Sequence, residues 1–217
     1  MKKIITFWNN FKKNKQEIFN AILLGINTEE ILLQITRKVD YVSKRMRSII
    51  NAPKSINDKI TIVFTGKGYL KLFTKIIALE NLAHSLVKLS AQAHIKPIED
   101  NIKYQHGLND CCSFGNYSVK ISELQIALLD YNSKTKQLII NIYLPDYNEL
   151  KHLEDLKHNI NWILMQIIGE IAFRKHIKEI KLNQTMLGQK GLLGILELPD
   201  FMEYLFKINS RKKTRIV

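Results

Sequence analysis

The chain has 217 residues, 46% hydrophobic and 24% charged, with 33 Lys+Arg against 20 Asp+Glu and a formal net charge of +13. So much apolar content with only four prolines and nine glycines excludes a disordered or collagen-like chain. The length allows one large domain or two small ones, each able to bury a core.

Phe7, Trp8, Phe11, Ile18, Phe19 and Ile22 predict a helix, or a broken pair of helices, closed by Gly25. Asn27-Thr28-Glu29-Glu30 has the form of a capping box. Ile31, Ile35, Val39, Val42 and Met46 follow it at helical spacing, which predicts an amphipathic helix ending before Pro53. Residues 1–52 thus read as a helical hairpin. Ile60 to Phe64 is β-branched and aromatic and predicts a strand, bounded by Gly66 and Gly68. Tyr69 to Leu82 then reads as a helix with Leu70, Phe73, Ile77 and Leu82 on its apolar side, and Leu86 to Ile95 as a second strand stopped near Pro97.

Three β-like segments come next, Tyr117 to Ile121, Leu124 to Asp130 and Gln137 to Leu144, with Asn132 to Thr135 as a hairpin connection. Glu149 to His176 reads as one long helix, apolar on both sides, with Ile160, Ile163, Leu164 and Ile171 opposite Trp162, Met165 and Phe173. Such a helix needs two covers, so it is expected between the sheet and the amino-terminal hairpin. Ile177 to Leu182 predicts a last strand, and Asp200 with Glu203 a capping box for a closing helix. No repeat or low-complexity segment divides the chain. The expectation is a single α+β domain: helical hairpin 1–52, sheet-and-helix body 59–206 with a mixed, mostly antiparallel sheet and the long central helix packed on it, and basic tail 207–217.

The apolar stretch from Ile160 to Phe173 is interrupted by Asn161, Gln166 and Glu170, so no membrane span is predicted. The run Ile4 to Trp8 is too short for a signal-peptide core, and two adjacent cysteines give no disulfide framework. A cytoplasmic location is expected. The positive surplus sits at the ends: residues 1–58 hold 11 Lys/Arg and 5 Asp/Glu, and residues 207–217 hold five basic residues and no acid. Such ends attract polyanions. Only six of the basic residues are Arg, the side chain suited to bidentate phosphate and guanine contacts, and no nucleic-acid-reading motif is present.

Phe7-Trp8 with Phe11, the strand-turn-helix from Ile62 to Phe73, Tyr143-Leu144-Pro145-Asp146-Tyr147, Ile168-Gly169-Glu170, and Gly191-Leu192-Leu193 running into Glu197-Leu198-Pro199-Asp200 together resemble a family of uncharacterised, soluble bacterial proteins most often met in Bacteroidota. The resemblance spans nearly the whole chain and implies a single α+β domain, with no activity attached. Some small soluble proteins of this kind serve as immunity or adaptor partners in contact-dependent competition, an analogy that favours a binding role.

Among local features, Thr65-Gly66-Lys67-Gly68 joins a predicted strand to a predicted helix, where free N–H groups favour an anion. It matches neither a Walker A loop nor a dinucleotide fingerprint, and a plain tight turn is its simpler reading. His106, Cys111 and Cys112 are one ligand short of a zinc site and badly spaced for one. Glu170, inside the most apolar helix, has the placement of a desolvated general acid or base. Its position at the edge of the apolar face, four residues before Arg174, points instead to a helix-edge ion pair. His152 and His158 cannot share a metal from one helix face. Arg211, Lys212, Lys213 and Arg215 form a compact basic tail without aromatics, expected to be a frayed, solvating end. No catalytic residue, metal or cofactor is assigned. The expected function is non-enzymatic binding of a protein partner through the hairpin or a sheet edge. The alternatives are a polyanion-binding module using the basic ends, and a small-ligand or phosphate-handling enzyme using the Gly66–Gly68 turn.

Overall fold

The computed structural model describes residues 1–51, 59–83, 89–97, 112–114, 117–185 and 190–213, with the backbone alone for 112–114, 117 and 209–213. The fold is α+β, with two mixed sheets, and its contacts group into two compact units, Met1–Ile95 and Lys96–Val217.

In the first unit, helices α1 (Lys2–Lys13), α2 (Lys15–Leu24) and α3 (Thr28–Val42) precede strands β1 (Arg47–Asn51) and β2 (Ile60–Thr65), helix α4 (Phe73–Leu82) and strand β3 (Leu89–Ala93). The sheet order is β1-β2-β3, antiparallel then parallel. The amino-terminal hairpin forms as expected, broken at Asn14 and closed by Gly25 in the left-handed conformation at φ 71°. The Asn27 capping box does not form: Asn27 is itself left-handed, at φ 53°, and makes no side-chain cap. The turn is held instead by the Thr28 hydroxyl, which donates to the Ala21 carbonyl at 2.8 Å.

Residues 47–51 are a strand where the spacing predicted continuing helix. Met46 is buried with the helical set, but the chain leaves α3 through extended Ser43, and Ser48-Ile49-Ile50 pairs with β2. The buried face of α4 is also not the predicted one. Leu72, Ile76 and Leu79 are buried while Leu70, Ile77 and Leu82 are exposed, because a 3-10 turn at Leu70–Leu72 sets the helix phase. Phe7 and Trp8 of α1 meet Phe64 of β2 edge-on, with ring centroids 5.7 and 6.0 Å apart, and both also pack on Phe11, at 5.9 and 5.6 Å. Ile31, Ile35 and Val39 of α3 join the same core, as do Ile60 and Ile62.

The second unit contains strands β4 (Cys112–Phe114), β5 (Tyr117–Val119), β6 (Gln125–Asn132) and β7 (Gln137–Leu144), then helices α5 (Tyr147–Leu150), α6 (Leu156–Ile168) and α7 (Glu170–His176). Strands β8 (Ile177–Gln184) and β9 (Leu193–Gly194) and helix α8 (Leu198–Lys213) complete it. The sheet order is β8-β7-β6-β9, with only the β7–β8 pairing parallel. The β6–β7 hairpin turns where predicted, Asn132 Oδ1 accepting from the Lys134 and Thr135 amides. The closing helix starts at Leu198, and the acid that reaches back is Glu197, which accepts from the Gly194 amide at 2.6 Å.

The predicted helix 149–176 is three helices. It breaks in the turn after Leu150 and again at Gly169, whose φ of 81° and ψ of 149° lie outside any helix. Helices α1–α3 bury their stripes with β1–β3 and α4, whereas Ile160, Ile163, Leu164 and Ile167 of α6 are buried among Ile140, Ile142 and Leu144 of β7 and Leu198 and Met202 of α8. Each unit thus closes its own core from its own sheet and helices.

Candidate functional site

Parallel strands β2 and β3 end side by side, with Phe64 paired to Ala93, so Thr65 and His94 stand at their carboxyl ends. Ligands of α/β sheets gather in such places. The turn after β2 is built tightly. Thr65 is fully buried, and its Oγ1 accepts the Lys67 amide at 3.0 Å. The Tyr69 amide closes on the Gly66 carbonyl at 3.0 Å. A Cβ at Gly66 would lie 3.2 Å from Leu72 Cβ and 3.3 Å from Ile76 Cδ1, so a side chain there would press on the start of α4. Lys67 and Gly68 both have positive φ, at 50° and 78°.

His94 falls within the strand predicted over Leu86 to Ile95. It is instead the buried, left-handed residue that ends β3, at φ 65°, with its amide donating to the Phe64 carbonyl at 2.9 Å and its ring 4.2 Å from that of Phe73. The predicted turn therefore acquires an imidazole that no motif signalled. Lys67 is exposed, and the Arg45 guanidinium lies 4.9 Å from the Tyr69 ring centroid, which sets two cations about the turn. The Thr65 hydroxyl, counted among the anion ligands, is engaged by the turn itself.

Glu170 is fully buried, whereas Arg174 is exposed, so the carboxylate does not sit at a helix edge as predicted. It is the first residue of α7, where a carboxylate suits the helix dipole. A Cβ at the preceding Gly169 would come within 3.0 Å of Pro97 Cδ. His106, Cys111 and Arg215 lie outside the described residues, and Cys112 is a backbone partner of Val119 in the β4–β5 ladder. The backbone of Arg211, Lys212 and Lys213 continues α8 to its end. Among the described residues no three His, Cys, Asp or Glu side chains gather as a metal site.

His176 is buried at the end of α7. A carbonyl only accepts, so the 2.8 Å contact between its Nδ1 and the Lys136 carbonyl places the ring proton on Nδ1. Its ring lies 4.6 Å from Phe206 of α8, over which Lys136 Nζ also sits, at 5.2 Å from the centroid. Burial is the main cause that lowers the His176 pKa; Lys175 and Lys136 add to it, against the raising effect of the backbone hydrogen bond.

A groove of about 360 Å³ lies between α1 and α3 of the first unit. Thr6, Phe7 and Asn10 line one side and Gln34, Arg37 and Tyr41 the other. Each set has the spacing of one helix face. Lys3 Nζ lies 4.9 Å from the centroid of the Tyr41 ring, so the start of α1 meets the end of α3 and the two run antiparallel. Toward the α2–α3 turn a second groove is lined by Glu17, Asn20, Glu30 and Gln34. The helical layer thus presents apolar floor, amides and both signs of charge along one face. No described helix is long and apolar enough to cross a membrane. Compared with known proteins, the chain matches no family model, no curated protein and no solved structure.

Proposed function

We propose that this protein works in the cytoplasm by binding a protein partner, without catalysing a reaction, and that the α1–α3 layer supplies the surface. The observation that carries this reading is the run of large aliphatic side chains left exposed in a short stretch: Leu23, Leu24, Ile26, Leu32 and Leu33, with Leu24 at 66% exposure. Scattered exposed leucines are ordinary, whereas a concentrated apolar surface marks an interaction site. The turn that carries them is held by Gly25 and the Thr28–Ala21 hydrogen bond, so the surface is organised before any partner arrives.

Affinity capture from native lysate at low and moderate salt tests this reading. An interface that buries apolar area holds its partner at both salt levels, and Leu24→Asp releases it. Capture that collapses with salt, survives Leu24→Asp and is lost on Lys212→Glu with Lys213→Glu would instead identify a polyanion held by the basic end.

A further inference from the structure

We infer that the α3 face pairs with the same face of a second copy of this chain, the two α3 helices lying antiparallel about a two-fold axis. This deepens the binding role proposed above and rests on it. At 100° per residue, Glu30, Leu33, Gln34, Arg37 and Tyr41 fall on one side of α3, turned away from the buried Ile31, Ile35 and Val39. Glu30, Leu33 and Arg37 are exposed, and Leu33 and Tyr41 remain 50% and 55% accessible. Among the described residues Arg37 has no ion pair, in contrast to Arg47, which is held by Asp40 at 3.2 Å.

The order of charges along this face decides the occupant. The acid lies toward the amino end and the base toward the carboxyl end, with an apolar residue and an amide at the centre. In an isologous antiparallel pair each residue meets the one at the mirrored position. If Glu30 faces the partner's Arg37, then Leu33 faces the partner's Gln34, and Ile26, in the turn before α3, comes to the partner's Tyr41. The two Leu33 side chains straddle the axis. One register therefore satisfies both ends at once, which a single-signed foreign segment would not. The helix macrodipoles also oppose each other in this arrangement.

Sedimentation equilibrium of the full chain over a range of concentration tests the proposal, at low and at moderate salt. The mass of the wild-type chain is expected to rise from 25.3 kDa toward twice that value, and less so at the higher salt. Glu30→Arg alone and Arg37→Glu alone each turn two attractive contacts into repulsive ones and are expected to weaken association about tenfold or more. Both side chains are exposed, so the variants keep their fold, which far-UV circular dichroism checks. Two rescues follow from the register: the double variant regains self-association, and an equimolar mixture of the two single variants associates as a heterodimer.

A wild-type mass fixed at 25.3 kDa over the whole range overturns the proposal, as does association that either single variant leaves unchanged or that neither rescue restores. If Leu24-dependent capture of a foreign protein persists in that case, only the self-pairing is lost and the binding role stands.

Discussion

The indole N–H of Trp8, in α1, donates to the carbonyl of Leu79, in α4, at 2.9 Å across 71 residues of chain. Leu79 lies in the last turn of α4, where carbonyls lack an intrahelical partner, and the Ala83 amide goes to Glu80 instead. Trp8 therefore closes a helix end while its ring packs on Phe7, Phe11 and Phe64. Trp8→Phe keeps much of the packing and leaves the Leu79 carbonyl buried without its donor, at an expected cost of about 1–3 kcal/mol. Trp8→Ala also opens a cavity and should cost about 3–5 kcal/mol. Urea unfolding of the two variants checks both. Equal losses would mean that the hydrogen bond contributes nothing beyond the ring.

Gly169 separates two helices that share a run of apolar sequence. Its φ of 81° and ψ of 149° belong to a region that side-chain-bearing residues avoid, and an added Cβ would crowd Pro97. Gly25 also has positive φ, but in the left-handed helical region and with open space around it. Gly169→Ala is expected to destabilise by about 2 kcal/mol or more, and Gly25→Ala by only about 1 kcal/mol. Thermal unfolding of the pair checks the ranking, and a larger loss at Gly25 would contradict it.

These two glycines also show how much could be read from the sequence. Gly25 follows an apolar stripe and was legible as a helix stop, whereas Gly169 interrupts a stripe that resumes at once, which a helix can tolerate at modest cost. Strands β2 and β7 were legible because alternation and β-branching agree there. The face of α4 was not, because Leu70, Phe73, Ile76, Ile77, Leu79 and Leu82 leave several helical phases open, and the 3-10 turn that chooses among them depends on the packing of Leu72. Nor could the pattern say that α1–α3 would bury their stripes with β1–β3. An amphipathic stripe states that a helix needs a partner and leaves the partner open. At the candidate site the glycines made the turn visible, while His94 looked like one more strand residue because its left-handed backbone comes from tertiary context.

The left-handed backbone at Lys67 gives a third expectation. A non-glycine residue there carries a conformational cost of about 1 kcal/mol, offset by the Thr65 hydroxyl that accepts its amide. Lys67→Gly should therefore stabilise the chain by up to about 1 kcal/mol, and Thr65→Val should destabilise it by about 1–2 kcal/mol by removing the hydroxyl that accepts this amide. If Lys67→Gly lowers the unfolding midpoint, the exposed lysine contributes something that its backbone conformation does not explain.

His176 makes stability depend on pH. Its folded-state pKa is lowered from the ordinary value of 6.5 by burial first, with Lys175 and Lys136 adding repulsion. Below pH 6.5 the unfolded chain takes up this proton before the folded chain does, so protons favour unfolding. The contribution of the neutral ring is complete above 6.5 and is lost as pH falls from there through the folded value, after which this group adds no further loss. One proton limits the slope to about 1.4 kcal/mol per pH unit. The loss should act where Phe206 of α8 meets the ring, because a charged imidazole there would be a third cation beside Lys136 and Lys175. Urea midpoints measured from pH 7.5 to 5 should fall more steeply for the wild type than for His176→Gln, and amide exchange in α8 should rise over the same range. Parallel midpoints for the two proteins would remove His176 as the origin of the effect, and unchanged exchange in α8 would remove the helix as its target.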